Sequence, residues 1–161
     1  MEQMKKIVII SDTHHRDENL KRITPILLES DLIIHLGDYV SDMNGLKAQL
    51  GEKLVQVKGN CDFISSADDE QIINVEGVRI FLTHGHRYNV KSTQINLGYE
   101  ALSKGCQVAL YGHTRMADIS EFEGVKLINP GSLSVPRNGV PSYCYLLVYG
   151  GKAYPKIVEL L

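Results

Sequence analysis

Apolar residues in the first thirty positions follow first a strand pattern and then a helical one. Residues 6–10 are a continuous run of mainly β-branched side chains that ends in polar Ser11, which is typical of a central strand buried on both faces. Apolar positions then recur at helical spacing from residue 20 to residue 30. Asp17 is the expected N-cap of this helix, and Pro25 is expected to kink or shorten it.

The next stretch repeats the same succession. Residues 32–36 and 54–57 form two more apolar runs, and a short helix is predicted between them, near residues 43–50. Strand, helix, strand, helix, strand is the order that produces parallel strands joined by right-handed crossovers. The first third of the chain therefore predicts a parallel sheet.

The pattern changes in the remainder of the chain. Residues 71–75 and 78–82 read as two strands joined by a tight turn, a helix is predicted over 93–104, and a strand over 108–111. Short strands separated by Gly or Pro turns follow. We predict one α/β domain over residues 1–161, in which two mixed β-sheets pack together between outer helices as a four-layer αββα sandwich.

Composition restricts the location and the partners of the protein. The chain has 161 residues, 43% of them hydrophobic, and a net charge of −2, so no global charge attracts nucleic acid or an anionic membrane. No apolar stretch approaches the length of a membrane span. The three cysteines, Cys61, Cys106 and Cys144, are widely spaced and odd in number, which fits a reducing compartment. We expect a cytoplasmic protein, either a monomer or a homo-oligomer.

Polar, mostly Gly-containing motifs follow several of the predicted strands. Because the C-terminal ends of strands in an open α/β sheet meet at one edge, residues distant in sequence are expected to converge there. The motifs share Asp, His or Asn at this position, and they are Ser11-Asp12-Thr13-His14, Gly37-Asp38, Gly59-Asn60, Thr83-His84-Gly85-His86 and Gly112-His113.

These residue types suit a divalent metal. Carboxylate and amide oxygens combined with imidazoles, and without a thiolate, favour Mn²⁺, Fe²⁺, Zn²⁺ or Ni²⁺ over Ca²⁺. Since a carboxylate can bridge, such a set can hold two ions about 3.5–4 Å apart and generate a metal-bound hydroxide that attacks a phosphoryl group. We predict a metal-dependent phosphoesterase, with two metal sites and Mn²⁺ as the favoured ion.

The motifs, in this order, resemble those of the calcineurin-like metallophosphoesterase superfamily, and most closely its small bacterial and archaeal phosphodiesterases. The resemblance covers essentially the whole chain, and five motifs in order are a specific signal. It implies that Asp12 and His14 hold the first metal and that Asp38 bridges to the second. It also implies that the second metal is completed by residues that act in catalysis through it: Asn60, His84 and His113.

Two positions depart from the motifs of that superfamily. Arg115 stands where the last motif usually has a second His, and a guanidinium has no lone pair to give a metal, so the first site should be weakened. Arg115 can instead contact the substrate phosphate, or point to solvent. Cys61 stands where many members have a His that protonates the leaving group. We therefore expect slow hydrolysis of a small phosphodiester with a good leaving group.

Other residues near the motifs have more than one reading. His15 is expected to be solvated and His35 to be a hydrogen-bonded core residue. His86 can support the metal site from outside, contact substrate or, least favoured, replace a ligand. Residues 129–132 resemble a loop near the active site. The alternative to an enzyme is a binding or scaffold protein that keeps the fold and has lost turnover through Arg115 and Cys61.

Overall fold

The computed structural model describes residues 3–137 and 139–161. Ten strands and three α-helices alternate with short 3₁₀ helices at Val40–Leu46, Gly51–Lys53 and His86–Tyr88. The strands and α-helices in chain order are β1 (Lys5–Ile10), α1 (Glu18–Glu29), β2 (Leu32–His35), α2 (Lys47–Leu50), β3 (Leu54–Gln56), β4 (Glu70–Val75), β5 (Val78–Thr83), α3 (Ile95–Ser103), β6 (Val108–Leu110), β7 (Asp118–Phe122), β8 (Val125–Asn129), β9 (Ser142–Tyr149) and β10 (Lys152–Glu159).

Two five-stranded mixed sheets form the molecule. The first has the order β10-β9-β1-β2-β3, and β1, β2 and β3 run parallel to one another. The second has the order β4-β5-β6-β8-β7, and its central strands β5, β6 and β8 are likewise parallel. The predicted architecture of two mixed sheets with helices outside is confirmed. Among the described residues, no helix is long and apolar enough to cross a membrane.

Apolar side chains fill three layers in this arrangement. The central layer lies between the sheets and includes Ile9, Ile34, Leu82 and Leu110, all with 0% exposure. One outer layer packs α1 and its neighbours on the first sheet, and the other packs α3 on the second. Continuous burial on both faces explains why the parallel strands read as unbroken apolar runs.

Helix α1 begins after Asp17, as predicted, but differs from its prediction in the effect of Pro25 and in the contacts of the Asp17 side chain. Pro25 lies inside the helix without shortening it, since α1 continues to Glu29. The missing proline N–H deprives the carbonyl of Lys21, an exposed residue, of its partner, while Ile23 and Leu27 are buried against the sheet. Asp17 does precede the helix, but its carboxylate caps no backbone N–H and instead pairs with Lys21 at 3.1 Å.

Candidate metal centre

Two buried carboxylates and one imidazole converge at the C-terminal ends of β1 and β2. Asp12 and His14 follow β1, Asp38 follows β2, and the backbone N–H of Asp12 donates to the carbonyl of Gly37 at 3.0 Å. The Nε2 atom of His14 lies 3.7 Å from Oδ1 of Asp12 and 3.8 Å from Oδ2 of Asp38. One ligand atom from each residue lies within 4.8 Å of the others, a spacing at which a metal ion could be held.

The second sheet contributes two more imidazoles. His84 donates from Nδ1 to the carbonyl of Leu36 at 2.9 Å, because a carbonyl can only accept. This bond leaves Nε2 as the inward atom, 3.4 Å from Oδ2 of Asp38 and 3.2 Å from Nδ1 of His113. His113 in turn donates its backbone N–H to Oδ2 of Asp12 at 3.2 Å. The structure thus brings five side chains into one cluster, those of Asp12, His14, Asp38, His84 and His113.

Electrostatics of the cluster favour positive charge beside the carboxylates. Burial lowers the pKa of His84, but Asp38 and Asp12 outweigh it, so the pKa of His84 is raised. Burial raises the pKa of Asp38, but His84, the Cys61 N–H and His14 outweigh it, so the pKa of Asp38 is lowered. Burial, and then the neighbouring His84, lower the pKa of His113 to about 4. A neutral His113 retains one ring nitrogen with a lone pair for a cation.

The residues present fit a divalent metal on structural grounds. Asp12 Oδ1 and His14 Nε2 are buried, and neither atom has a hydrogen-bond partner in the described part of the chain. A buried carboxylate oxygen without a partner is costly, and metal coordination is one of the ways in which proteins satisfy it. Oxygen and imidazole donors match the borderline divalent metals. The group Asp12, His14 and Asp38 is therefore a candidate metal site.

Two glycines allow the strand ends to approach this closely. A Cβ on Gly37 would lie 2.7 Å from Nδ1 of His84, and a Cβ on Gly112 would lie 3.1 Å from Oδ2 of Asp12 and even closer to Oγ of Ser11. Gly37 also has a φ of +110°, a conformation that side chains with a Cβ rarely adopt. Gly37, next to Asp38, and Gly112, next to His113, are thus part of the site.

Several candidate ligands have unusual backbone conformations. Asp12, His14, Asp38 and His113 all have positive φ, between 49° and 70°. Non-glycine residues in this region are uncommon and store strain, which concentrates at functional sites. The backbone N–H groups of three of them are hydrogen-bonded, that of Asp12 to Gly37, that of Asp38 to Asp62 and that of His113 to Asp12. The loops therefore present their side chains in one defined direction.

Asp62 holds two of these loops together, a role that sequence reasoning missed. Its Oδ2 accepts the backbone N–H of Asp38 at 2.7 Å and that of Gly59 at 2.8 Å, and its Oδ1 accepts the N–H of Val40 at 3.0 Å. An Asp shortly after a Gly-Asn turn signals local backbone bonding. The sequence does not reveal that the partners include a loop more than twenty residues earlier.

His35 links the loop that follows β1 to the loop that follows β2. Its Nδ1 accepts the N–H of Gly37 at 3.0 Å, so the neutral ring carries its proton on Nε2 and donates to Oγ1 of Thr13 at 3.1 Å. The Thr13 hydroxyl donates onward to the carbonyl of Tyr39 at 3.3 Å. The prediction of a hydrogen-bonded core histidine is confirmed, and burial lowers the pKa of His35 to about 4.

The loop at residues 129–132 borders the cluster, as predicted. Asn129 donates from its side chain to the carbonyl of Gly112 at 3.1 Å, and Ser132 donates its hydroxyl to the carbonyl of Asp12 at 2.8 Å. Both side chains are fully buried. The loop therefore fixes the backbone of two motifs from behind without presenting a ligand of its own.

The remaining candidates lie around the cluster. His86 is centred 5.5 Å from the ring of His84, and its Nδ1 is buried without a partner among the described residues. His15 is solvated and bonded to Asp42 at 2.8 Å, as expected. Asn60 is exposed, and its side chain makes no hydrogen bond to the described residues, so its role as a ligand stays a prediction.

Arg115 and Cys61 occupy the two positions that depart from the motifs. Arg115 is half-buried with a φ of +60°, and its carbonyl accepts the N–H of Arg137 at 3.1 Å. Its contact with phosphate stays a prediction. The backbone N–H of Cys61 donates to Oδ1 of Asp38 at 2.9 Å, and burial followed by the Asp38 carboxylate raises the pKa of the Cys61 thiol to about 11.

The family follows from the match of the whole motif series. Residues 4–150 match the model of the calcineurin-like phosphoesterase superfamily domain. The chain belongs to this superfamily. The match includes every strand-end motif and the strands from β1 to β9, which confirms the resemblance inferred from the sequence. Members of a metallophosphoesterase family act with divalent metal, which agrees with the candidate site of Asp12, His14 and Asp38.

Known calcineurin-like relatives cover most of the chain. Probable metallophosphoesterase YsnB of Bacillus subtilis is 38% identical over 132 residues, which are 81% of this chain and 76% of YsnB. Phosphodiesterase YfcE of Escherichia coli is 27% identical over 164 residues, covering 86% of this chain and 85% of YfcE. Zinc-complexed Vps29 from Entamoeba histolytica has the same fold, with a TM-score of 0.74 at 21% identity over 96% of this chain and 98% of Vps29.

Proposed function

We propose that this calcineurin-like phosphoesterase is a divalent-metal-dependent phosphodiesterase acting on a small phosphodiester. The observation that carries the proposal is the convergence of Asp12, His14, Asp38, His84 and His113 from both sheets, with Asp12 Oδ1 and His14 Nε2 buried and unsatisfied by the described residues. The relatives named as phosphodiesterases support the reaction class. The net charge of −2 supplies no general attraction for nucleic acid.

We assign the ligands to two sites. Asp12 and His14 hold the first ion, and Asp38 is shared, since its Oδ2 lies within 4 Å of Nε2 in both His14 and His84. The second ion is held by Asp38 together with Asn60, His84 and His113. Mn²⁺ is the favoured ion, with Ni²⁺, Fe²⁺ and Zn²⁺ as alternatives that the same donors accept. Metal held by these residues would supply Lewis-acid chemistry to the phosphoryl group and would lower the pKa of water towards neutrality.

The protein side chains orient the substrate and limit the rate. The fixed tautomer of His84 keeps its Nε2 directed at Asp38. In this proposal Arg115 pairs with a phosphate oxygen, for which its planar donors are suited. Cys61 is a weaker proton donor than the imidazole found there in many members of the superfamily, because its ordinary pKa is about two units higher. The leaving group must therefore depart largely without being protonated, which favours esters of acidic alcohols.

Metal removal tests the proposed function directly. Protein stripped with a chelator and reloaded with Mn²⁺ or Ni²⁺ is assayed with bis(4-nitrophenyl) phosphate, and 4-nitrophenyl phosphate serves as the monoester comparison. We expect hydrolysis of the diester only in the reloaded protein, at a higher kcat/KM than that of the monoester. Undiminished hydrolysis after exhaustive chelation would contradict a metal-dependent reaction. No turnover with any metal would favour the binding or scaffold protein.

Replacing Arg115 with His tests whether the arginine lowers the metal affinity of the first site. We expect R115H to bind Mn²⁺ at least about tenfold more tightly at one site, the lower end of the range for gain or loss of a ligand-supporting group. Titration calorimetry with Mn²⁺ measures the affinity, and the diesterase rate at limiting Mn²⁺ should rise with it.

Arg137 provides the matched control, because it is an exposed arginine in the segment whose backbone bonds to Arg115. We expect R137H to leave both the affinity and the rate unchanged. An R115H protein with unaltered Mn²⁺ affinity but a raised KM would assign Arg115 to the substrate phosphate and remove its role in weakening the metal site.

A further inference from the structure

A cavity of about 700 Å³ opens beside the candidate metal centre. Its wall includes Tyr39, whose ring lies 4.8 Å from that of His14, and Cys61, whose backbone N–H bonds to Asp38. The size is within the range of ordinary small-molecule sites. A phosphodiester with its phosphorus at the metal ligands therefore has room for one of its ester groups on this side.

The outer wall carries two large apolar side chains in water. Phe63 and Ile64 are 89% and 99% exposed, although both line the cavity. Their loop is held at its base, where Asp62 accepts three backbone N–H groups and Lys58 donates its N–H to the carbonyl of Asp68 at 2.9 Å. A defined loop thus presents a phenyl ring and a branched alkyl group next to the site, which suits a flat apolar ligand.

The inner wall offers hydrogen-bond acceptors. Gln56 donates from Nε2 to the carbonyl of Val40 at 2.9 Å, and Gln71 donates from Nε2 to the carbonyl of Gln56 at 3.2 Å. Since carbonyl oxygens only accept, these bonds fix the orientation of both amides. Their Oε1 atoms accept no hydrogen bond from the described residues. A ligand with N–H donors would satisfy them, whereas an alkyl ester would not.

We propose that this cavity binds the nucleobase of a nucleoside phosphodiester substrate. The inference rests on the proposed phosphodiesterase function, and it names the class of substrate. A nucleobase combines a planar ring for Phe63 and Tyr39 with N–H groups for Gln56 and Gln71, and its sugar carries the phosphate towards Asp38. A phenyl ester without a base would contact the aromatic rings only. It would donate no hydrogen bond to Gln56 or Gln71.

Binding of product-like ligands tests the inference without relying on turnover. Calorimetry on the Mn²⁺-loaded full chain compares AMP with ribose 5-phosphate and inorganic phosphate. We expect AMP to bind at least about fivefold more tightly than ribose 5-phosphate, as one stacked base contributes. The double variant F63A/I64A should remove most of that difference and leave inorganic phosphate binding unchanged.

Exposed apolar residues on α3 supply the control. Ile95 and Leu102 are 51% and 43% exposed and do not line the cavity, so I95A/L102A should retain the full preference for AMP. The acceptor wall is tested separately with Q71M, which should reduce the preference for AMP over phenyl phosphate and keep the affinity for phenyl phosphate.

The outcomes separate the two proposals. Equal affinities for AMP and ribose 5-phosphate, with inorganic phosphate still binding, would overturn the nucleobase cavity and keep the phosphodiesterase. Loss of the AMP preference in I95A/L102A as well would overturn it too, because the effect would not come from the cavity. Failure of every phosphate ligand to bind the Mn²⁺-loaded protein would overturn both.

Discussion

Replacing Asp38 with Asn is expected to lower phosphodiester hydrolysis by at least about 10³-fold, since metal catalysis contributes several kcal/mol and each 1.4 kcal/mol is tenfold. The Oδ2 atom of Asp38 lies 3.8 Å from Nε2 of His14 and 3.4 Å from Nε2 of His84, so it is the oxygen common to both proposed ions. An amide keeps the shape and removes the negative charge. Steady-state kinetics with bis(4-nitrophenyl) phosphate at saturating Mn²⁺ measure the loss, and elemental analysis measures the bound metal.

Asp17 gives the control for this prediction. It is an exposed aspartate whose carboxylate pairs only with Lys21 among the described residues, so D17N should retain both metal and activity. A D38N protein with the wild-type metal content and rate would show that the shared oxygen is not a ligand. Loss of activity with the full metal content would show that Asp38 positions the substrate and does not bind the metal.

Replacing Gly59 with Ala is expected to destabilise the fold by about 1–3 kcal/mol, the usual cost of overpacking, and to weaken Mn²⁺ binding. A Cβ at this position would lie 2.7 Å from the backbone N of Asp38 and 2.9 Å from Cγ of His84, and closer still to Oδ1 of Asp38. Because the backbone N cannot rotate away, the loop with Asp38 must move. Urea unfolding in the presence of chelator measures stability, and calorimetry measures the affinity for Mn²⁺.

Gly45 is the matched glycine for comparison. Neither Gly59 nor Gly45 is among the glycines with positive φ, and a Cβ on Gly45 meets nothing within 4 Å. We expect G45A to unfold at the wild-type urea concentration or slightly above it, since Ala restricts the unfolded chain. If G59A matched G45A in stability and metal affinity, close packing of Gly59 against Asp38 would not matter for the site.

Much of the fold was predictable because its signals are local. Buried parallel strands need apolar side chains on both faces, so β1, β2 and β6 appear as unbroken runs in the sequence. The positions of the motifs then followed, because a polar residue directly after such a run lies at the sheet edge. This reasoning places His84 and His113 at strand ends, but these strands belong to the second sheet, so their grouping with Asp38 came from the family resemblance; the contacts in the structure agree with it.

The supporting interactions could not be predicted, because they depend on atoms far apart in sequence. The tautomer of His35 is set by Gly37 and Thr13, which arrive from two loops. The role of Asp62 depends on backbone groups of Asp38 and Val40. For Pro25 the local rule allowed a shortened helix, but α1 continues to Glu29, because burial of its apolar face outweighs one lost backbone bond.

The proposed ligands belong to opposite halves of the sandwich, with Asp12 and Asp38 on one sheet and His84 and His113 on the other. The distance between metal donors is therefore set by how the two halves sit on each other, and the layer that spaces them includes Ile9 and Leu110. A change of side-chain volume in that layer would alter the coordination geometry without touching any ligand. The proposed metal-dependent activity would then depend on the packing between the sheets as much as on the ligands themselves.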